Sequence, residues 1–119
     1  GENLDIIDGD ETCGAAHAAR LAFELGCDVV KTKWTGSIES FRKVTAAVPI
    51  PVLIAGGPAG STCEEVLTIV YQAMQAGGGG VCMGRHVFSH HSPGKMVTAL
   101  RAIIHDNLEV EPAMQIAGL

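Results

Sequence analysis

Pro51-Val52-Leu53-Ile54-Ala55-Gly56-Gly57-Pro58 is an apolar run of strand length, closed by two glycines and a proline. Just beyond it, Thr62-Cys63-Glu64-Glu65 has the pattern of a capping box. There the threonine side chain and the glutamate three residues on satisfy each other's free backbone N–H groups. Val66, Ile69, Val70 and Ala73 then recur at helical spacing. A strand that feeds a capped helix through a glycine turn is one βα unit, and the rest of the chain repeats it.

Upstream, Asp28-Val29-Val30-Lys31-Thr32-Lys33 is a second strand-like run. A helix precedes it, with a stripe at Ala15, Ala18, Ala19 and Ala22, a cap expected at Asp10 or Thr12, and a stop at Gly26. After it, Gly36-Ser37 opens a helix with Ile38, Phe41, Val44 and Val48 on one side, stopped by Pro49 and Pro51. Downstream, the glycines at 77–80 end the third helix and lead into Val81-Cys82-Met83, closed by Gly84-Arg85. Ser92-Pro93 places an N-cap before a proline at the first helical position, and Met96, Leu100, Ile103 and Ile104 face that helix. Residues 107–119 are too mixed to assign. The order α-β-α-β-α-β-α, with strands starting near 28, 52 and 80, predicts an α/β fold with a parallel sheet and right-handed crossovers. A complete (β/α)8 barrel needs about 250 residues, so residues 1–119 read as a single partial domain, roughly half of one. A free-standing small α/β domain of flavodoxin-like kind is the alternative, with two sheet edges left exposed.

Composition narrows the function. Of 119 residues, 47% are hydrophobic, enough for one modest core. The net charge of −5 is spread without a basic face, which argues against nucleic acid. The most apolar stretch is broken by prolines and glycines, so no membrane span is expected, and the first residues do not read as a secretory signal. Cys13, Cys27, Cys63 and Cys82 show neither zinc-site nor disulfide spacing, and a reduced, cytoplasmic protein is expected. Cys27 and Cys82 fall on strand runs and read as small buried hydrophobes. His90-His91 invites a metal, but neighbouring side chains are expected to splay apart and no third ligand is evident, so no metal is expected.

In parallel α/β folds, chemistry collects at the C-terminal ends of strands, and here each end is unusual. Lys31 and Lys33 stand two apart, so both project from one face. Burial and a neighbouring ammonium both favour a lysine's neutral form, which can attack a carbonyl to give a Schiff base. A solvated Lys33, with Lys31 paired to Asp28 or to a residue outside this sequence, is the plainer alternative. Ala55-Gly56-Gly57 lets backbone N–H groups approach an anion, or is simply a tight turn. Gly84-Arg85 adds another close backbone approach and a planar fork suited to phosphate. Glycine-rich ends on successive strands match the usual barrel phosphate site, so a phosphorylated carbonyl compound is the substrate that joins all three. Trp34 either walls a pocket or packs on the next helix.

These residues carry a resemblance. Ala18-Ala19-Arg20, Leu25-Gly26-Cys27-Asp28-Val29-Val30-Lys31-Thr32, Thr35-Gly36, Ser40-Phe41, the run Pro51–Pro58 and Met83-Gly84-Arg85-His86-Val87-Phe88 resemble, in order, the archaeal-type class I fructose-bisphosphate aldolases of the DeoC/LacD-like superfamily. The resemblance implies a TIM barrel of which this chain is the C-terminal half, strands 6 to 8. It implies Lys31 as Schiff-base lysine, and Ala55, Gly56, Gly57, Gly84 and Arg85 as phosphate-binding. Lys33 would tune Lys31 or touch a substrate oxygen. No cofactor is implied, and the partners would be a phosphorylated sugar and further copies in a homo-oligomer. The family's acid/base tyrosine lies on an earlier strand, and Tyr71, the one tyrosine here, falls in mid-helix. A transaldolase-like synthase, a phospho-autoinducer thiolase and a non-catalytic fragment are the alternative readings.

Overall fold

The computed structural model describes residues 11–119 except Ala59. The chain runs α1 (Glu11–Glu24), β1 (Val30–Thr32), α2 (Ile38–Ala46), β2 (Val52–Ile54), α3 (Cys63–Gln75), β3 (Gly80–Val81), α4 (Arg85–Phe88), α5 (Pro93–Asp106) and α6 (Val110–Ala117). The strands form one parallel sheet in the order β1-β2-β3, with Lys31 opposite Leu53 and Leu53 opposite Gly80. The α/β class and the parallel sheet match expectation. The cap expected for α1 falls on residues whose side chains are outside the described part.

The strands are shorter than their apolar runs. Asp28, Val29 and Lys33 lie outside the ladder, and β3 starts and ends one residue or more before Val81-Cys82-Met83 would suggest. A ladder lasts only as long as both partners stay in register, and Cys82 makes one more bond, its N–H to the Ile54 carbonyl at 2.9 Å. Cys27 and Cys82 are therefore beyond the strands, and both are exposed rather than buried. α1 stops as expected: Gly26 has φ +95, and the Gly26 and Cys27 N–H groups return to the Phe23 and Ala22 carbonyls.

Alternation places the core. Val30, Thr32, Val52 and Ile54 are buried toward the helices, while Lys31 is exposed and Leu53 half-buried on the other face. Phe41 and Val44 of α2, Val66, Leu67 and Val70 of α3, and Met96 and Ile103 of α5 complete that core. The helices start as the sequence suggests. The Ser37 hydroxyl accepts the Ser40 N–H at 3.1 Å, and the capping box is reciprocal, with Thr62 Oγ1 accepting from Glu65 N at 3.2 Å and Glu65 Oε2 from Thr62 N at 3.3 Å. Ser92 is the N-cap of α5 by position only, because its side chain makes no cap bond. Two helices were not expected, the single turn α4 and the C-terminal α6, which packs Ala113 and Ala117 against α5 and α3. Among the described residues, no helix is long and apolar enough to cross a membrane.

Candidate active site

A cleft of about 650 Å³ opens at the C-terminal ends of the three strands. This is the size range of small-molecule sites. Lys31 from β1, Ala55 and Gly57 after β2, and Gly84 and Arg85 after β3 all line it. Five of the seven residues singled out by sequence thus meet on one wall. Lys33 and Gly56 are not on that wall. Lys31 is exposed rather than partly buried. Among the described residues neither lysine has a carboxylate partner, and the one ion pair joins Arg20 to Glu24 at 2.6 Å on α1. Trp34 packs on α2, its ring 5.3 Å from that of Phe41.

The glycines differ in what surrounds them. Gly56 has φ +109, and a Cβ there would sit 3.0 Å from His86 Cδ2. A Cβ on Gly57 would meet Ile69 Cδ1 at 3.0 Å. Gly84 has an ordinary φ of −111, and a Cβ would meet only the Phe88 ring, at 3.8 Å. A side chain at either of the first two would press on a neighbour, whereas one at Gly84 would make only an ordinary contact with Phe88.

Two histidines on the cleft carried no role in the sequence reading. His86 is half-buried, with Nε2 3.0 Å from the Gly57 carbonyl. Its place after Gly84-Arg85 was the available signal. His90 Nδ1 accepts the Ser92 N–H at 2.9 Å, and its ring stacks on His91 with centroids 4.3 Å apart, so the pair does not splay. No group of three metal-ligating side chains gathers among the described residues. Cys63 also lines the cleft, its Sγ 3.5 Å from Met96 Sδ. Burial, helped by the Glu64 carboxylate, pushes its thiol above the usual range, which disfavours the thiolate.

The chain is similar in sequence and in fold to known proteins. The chain is 46% identical over 114 residues to a 2-amino-3,7-dideoxy-D-threo-hept-6-ulosonate synthase of Halobacterium salinarum, covering 95% of this chain and 42% of that one. It is 42% identical over 102 residues to a 2-amino-4,5-dihydroxy-6-oxo-7-(phosphonooxy)heptanoate synthase of Streptomyces griseus, covering 86% and 37%. A solved archaeal fructose-1,6-bisphosphate aldolase, with its catalytic Lys covalently bound to the carbinolamine intermediate, superposes with a TM-score of 0.73 at 35% identity, over 78% of this chain and 38% of that one. The chain therefore spans about two fifths of the length of these relatives. The model of the DeoC/LacD family aldolases matches residues 6–90, and the chain belongs to that family.

Proposed function

We propose that the chain supplies strands 6 to 8 of an aldolase-type (β/α)8 barrel, and that Lys31 forms a Schiff base with a phosphorylated ketose such as fructose 1,6-bisphosphate. The observation that carries this is the cleft itself: a lysine on the exposed face of β1 shares it with the Gly57 turn and with Gly84-Arg85. In the neutral form, the Lys31 Nζ lone pair adds to the ketone carbon, and the carbinolamine loses water to give an iminium. As the β-hydroxyl gives up its proton, the bond between the α and β carbons breaks. Its electron pair moves to the iminium nitrogen, leaving an enamine on Lys31 and releasing an aldehyde. Protonation and hydrolysis then free the ketone. The base that takes the hydroxyl proton is not assigned to any residue of this sequence. Ala55, Gly57, Gly84 and Arg85 would hold the phosphate, turning remote binding into orientation of the reacting carbon.

Borohydride trapping with dihydroxyacetone phosphate, read by intact mass and peptide mapping, tests this. A reduced adduct on Lys31, abolished by Lys31→Met, is expected. An adduct on Lys33 would overturn the Lys31 assignment, and no adduct on the folded chain would overturn the chemistry. The identities to the two synthases favour a second reading, in which the enamine passes to another carbonyl acceptor. Product analysis separates the two. Release of glyceraldehyde 3-phosphate from fructose 1,6-bisphosphate supports the aldolase, and a longer product formed only with a second acceptor supports the synthase.

A further inference from the structure

We infer that His86 is a positioning residue that locks the turn after β2 onto the turn after β3, and so sets the spacing of the groups that bind phosphate. The Gly57 carbonyl can only accept a hydrogen bond, so His86 Nε2 carries the hydrogen across the 3.0 Å contact. The same ring fills the space where Gly56 lacks a side chain, with Cδ2 3.0 Å from the place a Cβ would take. One imidazole thus holds Gly56 by shape and Gly57 by a directed bond. Its own backbone follows Gly84 and Arg85 at the start of α4, so the contact ties the Arg85 guanidinium's attachment point to the Gly57 turn. The last backbone bond between the two strands is from the Cys82 N–H to the Ile54 carbonyl, and among the described residues no backbone hydrogen bond joins the two turns beyond it. His86 lines the cleft at the junction of the two turns. It acts through Gly57 and Arg85 and takes no part in bond making.

This inference rests on the phosphate-binding part of the proposed function and not on its lysine chemistry, and the test keeps the two apart. Titration calorimetry of the chain with inorganic phosphate compares the wild type with His86→Ala, His86→Phe and His86→Gln. The alanine and phenylalanine variants, which lack the donor, are expected to bind phosphate about tenfold more weakly. The glutamine variant, whose amide N–H reaches the same carbonyl, is expected to recover most of that loss. In the borohydride assay, His86→Ala should raise the dihydroxyacetone phosphate concentration for half-labelling by the same factor, with an unchanged plateau. Labelling by unphosphorylated dihydroxyacetone should not move. Unchanged phosphate affinity in His86→Phe would overturn the inference, as would a folded wild-type chain that binds no phosphate. If His86→Ala loses its circular dichroism signal, the phenylalanine and glutamine variants decide. Phosphate binding that follows the His86 series with no adduct on Lys31 would overturn the Schiff-base reading alone.

Discussion

Gly56 and Gly84 look alike in sequence, each at the end of a strand, yet they differ in what an added methyl group would meet. Gly56→Ala forces an L-residue to φ +109 against the His86 ring, and is expected to cost about 1–2 kcal/mol in chemical denaturation. Gly84→Ala keeps an ordinary φ and meets only Phe88 at 3.8 Å, so stability should change by no more than about 0.5 kcal/mol while phosphate binding weakens. Calorimetry and denaturation on the same two variants check the pair. Cysteine reactivity is likewise a matter of surroundings. Because burial and Glu64 raise the Cys63 pKa, its thiolate forms only at higher pH than an ordinary cysteine requires. Iodoacetamide at neutral pH should therefore modify the exposed Cys13, Cys27 and Cys82 first, and Cys63 should follow as the pH rises, by peptide mapping. Lys31 was legible in the sequence because a charge inside an apolar strand breaks the pattern. The contact of His86 was not, because its partner Gly57 is far along the chain and a place after Gly84-Arg85 says nothing of that bond.

Among the helices, α3 was the most fully legible, since both its start and its buried face are local patterns. Thr62→Ala removes one side of a reciprocal cap and is expected to cost about 1 kcal/mol in thermal or urea unfolding. Phe41→Ala in α2 empties a fully buried ring site and is expected to cost about 3–5 kcal/mol by the same measurement. α6 escaped because the residues it buries, Ala113 and Ala117, are small, and Pro112 stands among them. Proline is tolerated in a first turn, where its missing N–H is not needed. A stop signal was present in front of it: Asn107 ends α5 at φ +56, a conformation that asparagine accepts more readily than most residues. The strands were located correctly and drawn too long, since an apolar run reports burial while a strand ends where its neighbour's ladder ends.

Among the described residues, the three-stranded sheet has one strand bonded on both sides and two edges. Hydrogen exchange should accordingly be slowest in β2 and in the buried turns of α3 and α5, and faster in β3 and the short α4. Equal protection across the sheet would contradict this arrangement. The same arrangement makes the cleft. Parallel strands in sequential order put three C-terminal ends side by side, so that turns far apart along the chain share one wall.

Local chemistry was enough for the class of fold, the order of its βα units, the starts of α2 and α3, and the lysine and glycine-rich ends that line the cleft. Each of these depends on residues within a few positions of one another, through periodicity, capping or backbone freedom. Three-dimensional packing was needed for the rest: the exposure of Lys31, the separate surroundings of Gly56 and Gly84, the raised pKa of Cys63, and the bond from His86 to Gly57. Those properties depend on which distant atoms arrive beside a group, and no local pattern encodes that.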